Sequence, residues 1–69
     1  MTQLKSSFIS TADYDEANQT LTLNFHNGTS YTYQNAPHDI FRDLILADSA
    51  GQFFQNAIRP HFQGVKVED

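Results

Sequence analysis

Two tyrosines and an arginine are the side chains whose type and spacing could serve a binding site. Tyr31 and Tyr33 are separated by one residue, so in a β-strand their rings lie on the same face. Two rings with this spacing on one strand face are typical of a platform on which RNA bases stack. The same rings could instead complete the hydrophobic core, and the register of the predicted hairpin favours the core.

Arg59 follows Ile58 at the predicted end of a helix. Its charge there complements the helix dipole, and its guanidinium could also hold a phosphate or a carboxylate. The favoured interpretation is the dipole role or a structural bond to a loop carbonyl.

Other combinations of residues do not amount to an active site. Ser, His and Asp are all present, but no G-x-S-x-G elbow occurs, and 69 residues leave no room for a triad with its oxyanion hole and cleft. The three histidines lack the spacing of zinc ligands, and the acidic turn near residue 15 lacks the calcium-loop pattern. The three glycines are isolated, so the sequence contains no glycine-rich phosphate-binding loop. We therefore expect no catalytic residue, no metal site and no cofactor.

The composition predicts one small folded domain with an acidic balance. The chain is 39% hydrophobic with six Phe and three Tyr, and it contains no Cys, so apolar packing must stabilise it. The formal charge is -4 and the four cations are scattered along the sequence, which argues against nonspecific attraction to nucleic acid. With no signal-peptide run or membrane span, we expect a cytoplasmic protein without a membrane partner, as a monomer or weak homodimer.

Three β-strands are predicted in the first half of the chain. Apolar residues between positions 7 and 14 fall out of phase on a period of two, which a β-bulge near Ser10 or Thr11 would repair. A polar turn over residues 15–19 leads to the clearest alternating strand, which carries Leu21, Leu23 and Phe25. A third strand follows the Asn-Gly pair at 27–28, so a hairpin is expected.

The loop length of this hairpin decides where the tyrosines lie. A two-residue loop would place both rings on the polar face. A three-residue loop over 26–28, with Gly28 in the left-handed region, pairs Leu23 with Tyr31 and Leu21 with Tyr33. We favour the second register, because so small a domain can hardly leave two large aromatic side chains outside its core.

Two helices are predicted in the second half. Pro37 suits the start of the first, whose sheet-facing stripe is Ile40, Phe41, Leu44 and Ile45. Ser49 and Gln52 form a capping box at the start of the second, which should end near Arg59 because Pro60 follows. Phe62 could fold back on the core, and residues 63–69 are expected to form a frayed tail.

Several of these residues belong to one composite pattern. Its parts are Ser6-Ser7, Tyr14-Asp15, Phe25-x-x-Gly28-x-x-Tyr31-x-Tyr33, Pro37 and Ala47-Asp48-Ser49-x-Gly51-x-x-Phe54-x-x-x-Ile58-Arg59-x-x-Phe62. The pattern, which spans residues 6 to 62, resembles the KTSC domain. That family is named for the C-terminus of some lysyl-tRNA synthetases and also occurs as small stand-alone bacterial proteins.

The resemblance implies a fold unit with an association with RNA, and it marks Tyr31, Tyr33, Ser49, Gly51 and Arg59 as candidate binding residues. The predicted elements give an α+β fold, a three-stranded antiparallel β-meander followed by two α-helices packed on one face, as a single domain over residues 1–69. The expected function is a non-catalytic binding module with RNA or tRNA as its partner. The alternative is a protein–protein interaction module that binds no nucleic acid.

Overall fold

An antiparallel sheet covered on one face by helices is formed by the residues that the computed structural model describes, 2–4 and 6–67. The elements are strands β1 (Thr2–Gln3), β2 (Ile9–Asp15), β3 (Thr20–Phe25) and β4 (Ser30–Tyr33), helices α1 (His38–Leu46) and α2 (Ala50–Phe53), a π-helical turn (Phe54–Ile58) and strand β5 (Gly64–Lys66). The α+β class is confirmed. The prediction of three strands is wrong, because the described residues form five, in the order β1-β2-β3-β4-β5. No helix in the described ranges is long and apolar enough to cross a membrane.

The hairpin of β3 and β4 has the predicted three-residue loop. The N–H of Phe25 donates to the carbonyl of Thr29 at 2.8 Å, and the N–H of Gly28 donates back to the Phe25 carbonyl at 3.0 Å. Gly28 has φ 90°, where a side chain would be strained. Tyr31 consequently pairs with Leu23, so its ring starts from the face that carries the core.

The predicted β-bulge lies in β2. The pairing of β2 with β3 shifts register between Ile9 and Thr11, and this extra residue brings Ile9 and Ala12 to the same face, where both are fully buried. The bulge thus lets a sequence that is out of phase supply two core residues.

The core lies between the sheet and the helices. Its buried members are Ile9, Ala12, Leu21, Leu23, Phe25, Tyr33, Ala36, Leu44, Ala50, Phe54 and Ile58. Of the stripe predicted on α1, Leu44 is buried and Ile40 and Phe41 pack against the core. Ile45 does not, and 38% of it is exposed, because the next residue along a helix points about 100° away from Leu44.

The second helical segment begins as predicted and then departs from α-helical geometry. The Oγ of Ser49 accepts a hydrogen bond from the N–H of Gln52 at 3.3 Å, as a cap should, but the Gln52 side chain does not bond back to the Ser49 N–H, so only half of the predicted capping box forms. After Phe53 the helix widens into the π-helical turn, in which the N–H of Arg59 donates to the Phe54 carbonyl at 2.9 Å. The helical conformation still ends at Ile58, close to the predicted position.

Strand β5 replaces much of the predicted frayed tail. Val65 pairs with Thr32, and the N–H of Val67 donates to the Ser30 carbonyl at 2.8 Å. These bonds satisfy main-chain groups at the open edge of β4 and need no apolar side chain, which is why the polar composition of the tail misled the prediction. Residues 68 and 69 of that tail lie outside the described residues.

The sheet face opposite the helices is polar, as expected. Asn24 donates from Nδ2 to the Thr11 hydroxyl at 2.8 Å and accepts from the Ser30 hydroxyl at 2.5 Å. The hydroxyls of Thr22 and Thr32 lie 3.4 Å apart across β3 and β4. This face is therefore a layer of mutually bonded polar side chains.

Candidate functional site

An open groove of about 430 Å³ lies between strands β4 and β5 on one side and residues 54–62 on the other. Six aromatic rings line it, together with four other residues. The lining consists of Phe8, Phe25, Tyr31, Tyr33, Phe54, Phe62, Asn27, Thr29, Arg59 and Gly64. The fold thus brings three of the five predicted site residues, Tyr31, Tyr33 and Arg59, to one place.

Phe25 forms the floor of the groove. Its ring centroid lies 5.0 Å from that of Phe8, 5.9 Å from that of Tyr31 and 5.6 Å from that of Phe54. Phe8 is 42% exposed and Tyr31 is half-buried, whereas Phe25 and Phe54 belong to the core. Two rings anchored on a buried aromatic cluster are therefore accessible to a ligand.

Tyr33 is part of the core rather than an accessible ring. Only 4% of it is exposed. Burial raises the pKa of its phenol, the neighbouring Tyr31 adds to the increase, and the positive charge of Arg59 opposes it. The prediction that both tyrosines join the core is thus right for Tyr33, while Tyr31 keeps part of its ring at the surface.

Strand β5 holds the Tyr33 ring in place. Gly64 pairs with Tyr33, and a Cβ at Gly64 would lie 2.6 Å from Tyr33 Cε2 and 3.0 Å from Cζ. Only a residue without a side chain lets the backbone of β5 approach the ring this closely. The last strand therefore completes one wall of the groove.

The π-helical turn delivers Arg59 to the groove as a cation that has no ion-pair partner among the described residues. Its guanidinium makes no hydrogen bond or ion pair to any described residue, so the favoured bond to a loop carbonyl is not found within those ranges. Arg42 on α1, by contrast, contacts Asp39 at 3.3 Å and Asp43 at 3.4 Å. Within the described part of the chain no carboxylate lines the groove. Among the described residues nothing neutralises the charge of Arg59, so this part of the chain leaves it open to an anion.

A second cation, Lys66, lies on the same sheet face as Tyr31. Lys66 pairs with Tyr31 across β4 and β5, and residues that oppose each other in a sheet share a face. In the sequence the four cations are scattered, but the fold gathers Arg59 and Lys66 on one side of the molecule.

Ser49 and Gly51, the other two predicted site residues, do not line the groove. Ser49 caps α2. A Cβ on Gly51 would lie 3.4 Å from Ser6 Oγ and 3.5 Å from Phe8 Cβ, so this glycine packs the start of α2 against the segment that carries Phe8. Gly51 therefore supports the position of Phe8 in the groove wall, whereas Ser49 contributes the cap of α2.

Sequence reasoning missed several lining residues. Thr29 extends the alternation of Tyr31 and Tyr33 by one step toward the loop, so a period of two could have included it. Phe8 precedes the bulge, where the alternation is broken, and Gly64 lies in a segment that was expected to be frayed. No sequence pattern signals either position.

The acidic turn after β2 is held by its own hydrogen bonds. Asp15 accepts from the N–H of Ala17 at 3.0 Å and from Asn18 Nδ2 at 2.8 Å. The Asn18 bond is the main cause that lowers the pKa of the Asp15 carboxyl. Among the residues described, no group of three or more His, Asp or Glu side chains is placed to hold a metal ion.

A family model for the KTSC domain matches residues 5–62. The chain belongs to the KTSC family. A crystal structure of a KTSC domain protein from Yersinia pestis superimposes with a TM-score of 0.92 at 28% sequence identity, covering 97% of this chain and 94% of that one. The family resemblance drawn from the sequence pattern is thereby confirmed.

Relatives of this KTSC protein occur in two contexts. A protein of Tsukamurella paurometabola is 40% identical over 67 residues, which cover 97% of this chain and all of that protein. A lysine–tRNA ligase of a Nostoc species is 37% identical over 59 residues, which cover 86% of this chain but 10% of the ligase. The domain thus matches proteins of its own size and a small segment of a much larger enzyme.

Proposed function

We propose that this KTSC protein is a non-catalytic binding module whose aromatic groove takes unpaired RNA, with bases stacked on Tyr31 and Phe8 and a phosphate held by Arg59. The observation that carries the proposal is the composition of the groove. Six rings line the same groove as a guanidinium that has no ion-pair partner among the described residues. Exposed rings beside a cation that no described carboxylate neutralises are what a single-stranded nucleic acid requires of its binding surface.

The aromatic part of the groove favours unpaired bases over a duplex. Base faces in a duplex are covered by their neighbours, and an A-form helix presents mainly phosphates and 2′-hydroxyls to a protein. Of the two forms of RNA, only a strand with unstacked bases could cover the exposed surface of Phe8 and Tyr31. Each stacked base typically contributes about 1–3 kcal/mol.

The local charge answers the objection raised by the net charge of -4. Arg59 lines the groove and Lys66 starts from the same sheet face, whereas no carboxylate of the described chain lines it. A phosphate bound at Arg59 would therefore contact a cation and no carboxylate of the described residues. The similarity to a segment of lysine–tRNA ligase, an enzyme named for its tRNA substrate, also supports an RNA ligand.

Amide-resolved NMR titration with a five-nucleotide single-stranded RNA, and with a duplex of similar length, tests the proposal at near-physiological salt. We expect the single strand to shift amides of β4, β5 and residues 54–62, and the duplex to shift them far less. Tyr31→Ala should weaken binding by at least fivefold while the protein stays folded, because Tyr31 is only half-buried.

Two matched controls separate binding from stability. Phe41→Ala removes another half-buried ring, one that stacks on Tyr14 with centroids 5.4 Å apart and lies outside the groove, so it should lower stability without changing RNA affinity. Arg42→Gln removes a cation as Arg59→Gln does, but from the ion pairs of α1. Only Arg59→Gln should weaken binding.

The absence of groove shifts with single-stranded RNA would overturn the proposal. So would equal losses for Tyr31→Ala and Phe41→Ala, because they would show that the Tyr31 ring acts through stability alone. In either case the groove would be left to a protein ligand, as in the alternative of a protein–protein interaction module.

A further inference from the structure

The end of the groove nearest the β3–β4 loop is polar, unlike its aromatic middle. Asn27 and Thr29 line it there. Thr29 directly precedes β4, and in this extended segment it lies on the same face as Tyr31 and Tyr33. The polar end, the accessible ring and the buried ring therefore succeed each other along about 13 Å of chain. A base stacked on Tyr31 would therefore direct one of its edges toward Asn27 and Thr29.

The orientation of the Asn27 amide is fixed by the backbone. The N–H of Thr29 donates to Asn27 Oδ1 at 2.9 Å. Since a backbone N–H can only donate, the oxygen must face it, and Nδ2 points elsewhere. No described residue accepts a hydrogen bond from Nδ2. Asn27 thus offers the groove a donor at Nδ2, while one of the two lone pairs of Oδ1 is engaged by the backbone.

We propose that Asn27 Nδ2 reads the stacked base by donating to a carbonyl oxygen on its edge, so that the groove prefers uracil to adenine. The inference rests on the proposed function, since it concerns the base that the groove stacks. The hydroxyl of Thr29, beside Asn27, can donate to the same edge.

Adenine is disfavoured because of the same backbone bond. Asparagine usually recognises adenine by pairing Oδ1 with its amino group and Nδ2 with a ring nitrogen. With Oδ1 bonded to the Thr29 N–H, this two-bond pairing is disfavoured, and adenine keeps at most the bond from Nδ2 to a ring nitrogen, with its amino group beside that donor. Uracil carries two carbonyl oxygens and no amino group, so either of its polar edges can accept from Nδ2.

The test compares the affinities of five-nucleotide homopolymers of uridine and of adenosine, measured by the same NMR titration. The wild-type protein should bind the uridine oligomer about threefold to tenfold more tightly, the effect of one hydrogen bond. Asn27→Asp keeps an oxygen for the Thr29 N–H and replaces the donor by an acceptor. We expect this variant to lose the preference for uridine or to reverse it.

The added negative charge of Asn27→Asp should weaken the binding of both oligomers. The ratio of the two affinities is therefore the readout. Gln63→Glu is the matched control, because Gln63 lies next to the groove residues Phe62 and Gly64 but does not line the groove. This control should lower both affinities and leave their ratio unchanged.

The outcomes distinguish the two proposals. If neither oligomer shifts the groove amides, RNA binding itself fails. If both bind but adenosine binds as tightly as uridine, or if Asn27→Asp leaves the ratio unchanged, RNA binding stands and base reading by Asn27 is overturned. Tyr31→Ala should weaken the binding of both oligomers, since every base offers a ring face that can stack on Tyr31.

Discussion

Gly64 and Tyr33 show how a single position can determine the shape of the groove. The backbone of β5 lies against the Tyr33 ring, and a methyl group on Gly64 would come within 2.6 Å of it. Tyr33 cannot give way easily, because it is 4% exposed and its ring centroid lies 5.8 Å from that of Phe54. Either the ring or the strand must move.

Gly64→Ala should therefore destabilise the protein by about 1–3 kcal/mol, the usual cost of overpacking, and loosen β5. Urea denaturation measures the first effect, and faster exchange of the Val67 amide, which donates to Ser30, reports the second. Gly51→Ala is the matched control. Its nearest contacts would be ordinary ones, 3.4 Å or longer, and alanine favours a helix, so stability should stay unchanged or rise.

The Tyr14 hydroxyl supplies the second prediction at this scale. It donates to the Ala36 carbonyl at 2.6 Å and so ties β2 to the connection between β4 and α1. Ala36 is only 1% exposed, so a lost donor leaves its carbonyl poorly compensated. Tyr14→Phe should lower Tm by about 4–8 °C, the effect of one hydrogen bond in a domain of this size.

This stabilisation should depend on pH in the alkaline range. Partial burial is the main cause that raises the pKa of the Tyr14 phenol above 10.0, and Glu16, Asp15 and Asp39 add to it. A raised folded-state pKa gives a contribution that is present below the unfolded pKa and lost as pH rises through the folded one. Thermal unfolding at pH 7 and at pH 11 should show the difference between wild type and Tyr14→Phe shrinking at the higher pH. A constant difference would contradict this.

At the scale of elements, the π-helical turn matters because it adds one residue without changing the direction of the chain on either side. The bond from the Arg59 N–H to the Phe54 carbonyl spans five residues, where an α-helix would span four. Phe54 and Ile58 remain buried on either side of exposed Gln55. The extra residue can therefore be removed in principle while Phe54 and Arg59 keep their places.

Deleting Gln55 should turn the π-helical turn into a regular helix and change the free energy of unfolding by less than about 1 kcal/mol. RNA binding should persist, since Arg59 stays in the groove. Deleting Arg42, an exposed residue of regular helix α1, is the control. It rotates Leu44 by about 100° out of the core and should cost about 2–5 kcal/mol, like other losses of a buried leucine. Equal costs for the two deletions would contradict the π-helical insertion.

The elements differ in how far the sequence determines them. The hairpin register is predictable, because Gly28 permits the three-residue loop and the core needs the tyrosine rings. The bulge is predictable from the phase error between Ile9 and Ala12. Strand β5 is not, since its main-chain bonds leave no side-chain pattern, and the π-helical turn is not, since its residues suit an α-helix equally well.

The residues of the candidate site also divide into those that the sequence predicts and those that it does not. Tyr31, Tyr33 and Arg59 are found by residue type and spacing. The partition of the two tyrosines into a core ring and an accessible ring depends on Gly64, which belongs to the unpredicted strand. Phe8 enters the groove where the start of α2 packs against it at Gly51, a contact between segments that are distant in sequence.

At the scale of the whole molecule, two electrostatic effects of opposite sign act on an approaching RNA. The net charge of -4 repels phosphates over a range of about 10 Å at 0.1 M salt and about 30 Å at 0.01 M. Arg59 and Lys66 attract them at short range. Salt screens the repulsion and also removes the counterion-release gain of direct contacts, so the sign of the salt dependence reveals which effect governs binding.

Measured between 0.05 and about 0.3 M salt, the affinity for a single-stranded RNA pentamer should fall with a slope of about -0.7 to -1.4 in log K against log salt, which corresponds to one or two phosphates neutralised. Arg59→Gln should bring the slope about 0.7 closer to zero, because it removes one contact. Arg42→Gln also removes one positive charge, but it does so outside the groove. The salt dependence of this variant should therefore have the same slope as that of the wild type. A flat or rising affinity with salt in the wild type would mean that stacking alone holds the RNA against the repulsion of an acidic protein, and that neither cation touches a phosphate.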